Sequence, residues 1–80
     1  MASFLLIQTD PGYATAVARF VGSVPGVFDV CITSGPYDVV AEVSPVPTLQ
    51  AEVRAAVRRA PGLSRLCVCN GSDRPVAASR

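Results

Sequence analysis

Thr33-Ser34-Gly35-Pro36-Tyr37-Asp38 is the segment of this sequence best equipped for chemistry. An α-amino acid needs hydrogen-bond donors for its carboxylate and an acceptor for its ammonium, in a site dry enough for those contacts to count. The hydroxyls of Thr33 and Ser34 and nearby backbone N–H groups are such donors, and Asp38 is such an acceptor. Gly35 lets the backbone approach a ligand closely, whereas Pro36 has no N–H to offer. The same residues also spell a hairpin turn with Asp38 solvated, and from spacing alone the turn is the stronger reading.

Three cysteines form the second group. Cys67 and Cys69 lie two apart, so on a strand they point the same way, and Cys31 is a candidate to join them. A C-x-C pair lacks the further ligands of a closed zinc site, and free cysteines commonly act as small buried hydrophobes, so no metal site is expected. Arg54, Arg58 and Arg59 place a basic edge beside Glu52 that reads as a solvated helix face. Asp38 and Glu42 are four residues apart, roughly 13 Å along a strand, too far to share one proton.

Composition removes other chemistry. With no histidine and no lysine the chain has no ordinary catalytic triad, no Schiff base and no phosphate-loop lysine. A formal net charge of +1 lacks the basic excess of a nucleic-acid binder. The apolar run Phe4-Leu5-Leu6-Ile7 is far short of a signal core or of the roughly 20 residues of a membrane span, which points to a cytoplasmic protein. Eighty residues, 50% hydrophobic, make one small domain whose own core is marginal. An odd cysteine count cannot close fully as disulfides, so a partner chain is the expected addition.

The elements that must position these residues follow from periodicity. Ser3 to Thr9 reads as a strand apolar on both faces. Asp10-Pro11-Gly12 predicts a helix start with Asp10 as N-cap, and Ala14, Val17, Val21 and Val24 with Phe20 make its apolar stripe. Val27 to Thr33 reads as a second strand with Phe28, Val30 and Ile32 on its helix side, and Tyr37 to Val43 as a third, joined in a hairpin. Ser44 to Thr48 opens a second helix with core face Leu49, Val53, Ala56, Val57 and Ala60, and Leu63 to Asn70 is the fourth strand. Residues 1–70 are then the domain and residues 71–80 a polar tail.

Pro25-Gly26 ahead of Cys31 recurs as Pro61-Gly62 ahead of Cys67, so the chain holds two β-α-β halves. Interleaved, they predict an α+β, ferredoxin-like βαββαβ sandwich: a four-stranded antiparallel sheet, strands one and three central, with two helices on one face. The other face would carry Cys31, Thr33, Cys67, Cys69 and one side of strand one. That is too apolar for a monomer, and dimerisation through the sheet is expected.

Phe4 to Gly12, Val24 to Val27, Thr33 to Val43 and Arg58 to Gly62 together resemble the ligand-binding domain of the Lrp/AsnC regulators, the regulation-of-amino-acid-metabolism domain. The likeness spans residues 3–70, and Gly35-x-Tyr37-Asp38 between the two Pro-Gly turns is its most specific element. It implies dimers formed through the sheets, higher oligomers built from those dimers, and a small effector, usually an amino acid, bound between them. It implies binding at Thr33, Ser34, Gly35, Tyr37 and Asp38, with Cys69 and Asn70 at the end of strand four as further candidates. Since the chain starts at the first strand, no helix-turn-helix and no direct nucleic-acid contact are expected.

The expected function is therefore non-enzymatic: an amino-acid-binding and oligomerisation module linked to transcriptional regulation of amino-acid metabolism, acting alone or with full-length Lrp/AsnC regulators. No cofactor is expected. The alternative is a small dimeric α+β-barrel enzyme, which normally wants a histidine or a matched acid/base pair in its pocket. Light scattering should report a mass above the 8.3 kDa of one chain; a purely monomeric protein contradicts the reading of the sheet face.

Overall fold

The computed structural model describes residues 2–70, so the expected tail at 71–80 lies outside the described residues. The elements run β1 (Ser3–Thr9), α1 (Ala14–Gly22), β2 (Val27–Ile32), β3 (Val39–Val43), α2 (Pro47–Val57) and β4 (Leu63–Asn70). They form one antiparallel sheet in the order β2-β3-β1-β4, the ferredoxin-like α+β sandwich expected from the two repeats. β1 can sit centrally because both its faces are apolar: Leu5 and Ile7 are fully buried on the helix side, and Leu6 is buried on the other.

The helix side of the sheet meets Val17 and Val21 of α1 and Val53 and Val57 of α2, closing a core with Leu5, Ile7, Val39, Ala41 and Val43. Val30, Leu66 and Val68 pack against it as expected. Phe28 and Ile32 do not, and the expectation for them is corrected. The pairing of β2 with β3 shifts register between Val27 and Asp29, so β2 carries one extra residue there. This bulge breaks the alternation and leaves Phe28 67% exposed, while Ile32, at the open end of an edge strand, is 52% exposed.

Two boundaries also differ from the sequence reading. Asp10-Pro11-Gly12 forms a turn closed by the Tyr13 N–H on the Asp10 carbonyl at 3.1 Å, with Gly12 at φ +85°, a conformation a helix cannot contain. The helix therefore starts at Ala14, with Tyr13 rather than Asp10 at the N-cap position. The hairpin loop takes Thr33, Tyr37 and Asp38 out of the strands: the Thr33 N–H bonds the Asp38 carbonyl at 2.8 Å and the Thr33 hydroxyl bonds the Tyr37 carbonyl at 2.7 Å. α2 opens with Pro47 in its first turn, where a missing N–H costs nothing.

The two Pro-Gly repeats lock the halves together. The Asp10 N–H, just after β1, donates to the Gly62 carbonyl at 2.7 Å, and the Ser44 N–H, just after β3, donates to the Gly26 carbonyl at 3.0 Å. Each half thus bonds the turn of the other. Both glycines have positive φ, +98° at Gly26 and +92° at Gly62. A Cβ at Gly62 would meet the Tyr13 ring at 2.3 Å, and one at Gly26 would meet Val53 Cγ2 at 2.7 Å.

The registers lay out the helix-free face in rows across β2, β3, β1 and β4. Asp29, Glu42, Phe4 and Cys69 form one row, and Cys31, Val40, Leu6 and Cys67 the next, with Gln8 and Arg65 beyond them. Cys31 and the C-x-C pair share this face but occupy opposite edge strands, roughly 14 Å apart across the sheet. Cys31 therefore does not join Cys67 and Cys69, and among the described residues no three metal-binding side chains converge.

Gly62→Ala is expected to lower stability by about 2 kcal/mol or more, since strained φ and the Tyr13 collision add. Gly22→Ala, in α1 with only an ordinary 3.8 Å contact to Val30, should instead raise it by roughly 0.5 kcal/mol. Urea titrations at one protein concentration check both signs.

Candidate functional site

The loop from Thr33 to Asp38 is held against the end of β1 by three contacts and closed on itself by a fourth. The Asp38 N–H donates to the Ile7 carbonyl at 2.9 Å, and the Asp38 Oδ2 accepts the Thr9 N–H at 2.8 Å. The Gln8 amide donates to the Pro36 carbonyl at 2.6 Å, and the Thr33 hydroxyl closes the loop on Tyr37. Ser34, Gly35 and Pro36 form the exposed tip. Asp38 is thus an anchor of the loop as well as an acid at its base, with one carboxylate oxygen already engaged.

Tyr37 leaves the strand alternation and lies on the helix-free face. Its hydroxyl reaches Cys67 Sγ at 3.9 Å, and because β1 separates β3 from β4, the ring passes over β1 to do so. The Cys67 thiol holds the phenol's pKa above its ordinary 10.0, first as hydrogen-bond partner and then through the charge of its ionised form. Desolvation and Cys69 push the same way, and Arg65 pulls against them. A raised value means that folding favours the neutral phenol, so this contribution is complete below the ordinary tyrosine pKa and is lost as pH rises through the folded one.

Cys69 and Asn70 sit elsewhere. Cys69 pairs with Phe4 and Asn70 with Ser3, at the start of β1, whereas the loop lies at its end. Six residues of strand put the two groups roughly 20 Å apart. Asn70 is tied down there: its Oδ1 accepts the Ser3 hydroxyl and the Gln50 amide, both at 2.8 Å. One protomer therefore brings Thr33, Ser34, Gly35 and Asp38 together, sends Tyr37 across β1 to the Cys67-Cys69 side of β4, and holds Asn70 at the opposite end of β1. A depression of about 110 Å³ lies between Phe4, Asp29, Val30, Cys31, Val40 and Glu42, smaller than the roughly 300 Å³ at which ligand pockets begin.

Gln8, Thr9 and Cys67 are the loop's partners that sequence reasoning missed. The signal available was strand alternation: Leu6 and Gln8 share a face, and the strand following the loop had to run beside β1. In a Tyr13→Phe background, where Tyr37 is the remaining tyrosine, absorbance titration should place its ionisation above 10.0, and adding Cys67→Ala should lower it. A midpoint indifferent to Cys67 rules the contact out.

No family model and no curated protein matches this sequence. Solved structures do. A Thermus thermophilus protein, TTHA0845, superposes with a TM-score of 0.76 at 26% identity, over 92% of this chain and 96% of that one. Escherichia coli AsnC superposes with a TM-score of 0.74 at 15% identity, over 92% of this chain but 52% of AsnC, so this chain spans about half of it. The Neisseria meningitidis transcriptional regulator NMB0573, solved in complex with L-Met, gives 0.66 at 12% identity over 99% of this chain and 58% of that one. Among the described residues no helix is long and apolar enough to cross a membrane. The likeness expected from the Gly35-x-Tyr37-Asp38 element and the Pro-Gly turns is matched in three dimensions: this chain has the fold of the Lrp/AsnC-type regulators.

Proposed function

We propose that this protein is a non-enzymatic, cytoplasmic amino-acid-binding and oligomerisation module serving transcriptional regulation, with its effector held between protomers. The observation that carries this reading is the separation of the candidate site into two parts, the loop tip with Asp38 at one end of β1 and Asn70 at the other. A second chain is the means of bringing one part against the other. The exposed tip at Ser34 and Gly35 offers donors for a carboxylate, and Asp38 offers its free carboxylate oxygen to an ammonium. The fold shared with a regulator solved with L-Met adds support for an amino acid as the effector class. The mechanism is population shift: a ligand bound across a junction stabilises the assembly that contains the junction, by its difference in affinity for the two states. Co-assembly with a full-length regulator of the same fold uses the same surfaces.

A thermal-shift screen against the standard amino acids, read together with light scattering, tests the proposal. One amino acid should raise stability by about 2.7 kcal/mol at a hundredfold excess over its Kd and change the assembled mass. Asp38→Asn keeps an oxygen for the Thr9 N–H but removes the charge, so it should fold normally and lose the response. A chain indifferent to every amino acid overturns the reading.

A further inference from the structure

Cys67 and Cys69 stand next to one another on the helix-free face of β4, both free and half-buried. Same-face neighbours on a strand lie roughly 7 Å apart. A disulfide wants its two Cβ atoms near about 3.8 Å, so this pair cannot close into one without moving the backbone. An ion between the sulfurs spans the distance: two metal–sulfur bonds of roughly 2.3 Å each bridge thiols that lean toward one another from those positions. Leu6 pairs with Cys67 and Phe4 with Cys69, which walls the thiols with apolar side chains on the β1 side. The Tyr37 hydroxyl, 3.9 Å from the Cys67 sulfur, closes over the pair from the loop, while no described strand lies beyond β4. Arg65, two residues before Cys67, shares the face.

We propose that Cys67 and Cys69 form a two-thiolate site for a soft monovalent cation of the Cu(I) class. Ligand number sets the choice of ion. Zinc closes a structural site with four ligands, and among the described residues no group of three metal-binding side chains exists. A filled-shell monovalent ion is satisfied by two thiolates, and soft sulfur selects it over harder cations. Binding balances as an exchange: each thiol gives its proton to solvent, the ion gains two sulfur donors, and no electron moves. Two thiolates around one monovalent ion leave a single negative charge, which the Arg65 guanidinium on the same face offsets. The Tyr37 phenol donates to the Cys67 sulfur and is a positioning residue, holding one thiolate toward the other. Phe4 and Leu6 limit the access of competing water. Cys31, on the opposite edge strand, takes no part.

Cu(I) supplied anaerobically as its acetonitrile complex, in competition with bicinchoninate, tests the site on the whole chain. One ion per chain should bind, with a thiolate-to-metal absorption in the ultraviolet. Cys67→Ser and Cys69→Ser should each lose it, Cys31→Ser should keep it unchanged, and Tyr37→Phe should weaken it by about tenfold. X-ray absorption on the loaded, unaltered chain should find two sulfur neighbours, and this decides the matter if thermal unfolding shows that a serine variant has not folded. A chain that leaves all the Cu(I) with bicinchoninate overturns the proposal, as does binding that survives either serine change in a folded chain. Loss of the ion in Cys31→Ser overturns it as well. One ion per two chains, or a third sulfur neighbour, places the ion between copies and overturns the site within one chain. Zn(II) held as tightly as Cu(I) overturns the choice of ion.

Discussion

Two backbone hydrogen bonds, Asp10 N–H to the Gly62 carbonyl and Ser44 N–H to the Gly26 carbonyl, hold the two β-α-β halves in one body. Each comes from the residue that follows a central strand and ends on the Pro-Gly turn of the opposite half. They require glycine twice over, because φ is positive and because the Tyr13 ring or Val53 already occupies the place of a Cβ. With the turns joined, β1 and β3 lie side by side in the middle of the sheet and both helices cover the same face. The sequence repeat is therefore a pair of matched joints rather than a duplicated pattern of apolar residues.

Covering one face twice leaves the other without helices, and the candidate site depends on that surface. The hairpin loop is anchored to the end of β1 by Asp38 and Gln8, and Tyr37 reaches across β1 to Cys67. Leu6 is consequently 6% exposed although it points away from the helices. The same surface carries Leu6 and Val40 near its centre, Asp29 and Glu42 where β2 pairs with β3, and Arg65 on β4.

Much of this was legible in the residues. β1 and β4 followed from their runs, the order of elements from alternating periodicities, and the topology from the Pro-Gly repeat together with the rule for right-handed crossovers. The misses have local causes. Phe28 looked like a core residue because strict alternation puts it with Val30, and a one-residue bulge undoes alternation without leaving a mark in composition. Asp10 looked like a helix cap because Asp followed by Pro is also how a β-turn begins, and the left-handed Gly12 decides between the two.

For the site, the sequence by itself determined the groups that sit at consecutive positions: Thr33 to Asp38 are neighbours in any fold that closes the hairpin. It determined the class of chemistry as well, since residue types limit what can donate, accept or attack. Only the tertiary structure decided distances between residues far apart in the chain. Asn70 lies a strand's length from the loop, Cys31 stands at the opposite edge from Cys67, and Tyr37 meets Cys67 across a strand that neither belongs to. Strand order and register set those separations, and both arise from packing two halves against each other, which periodicity within either half does not encode.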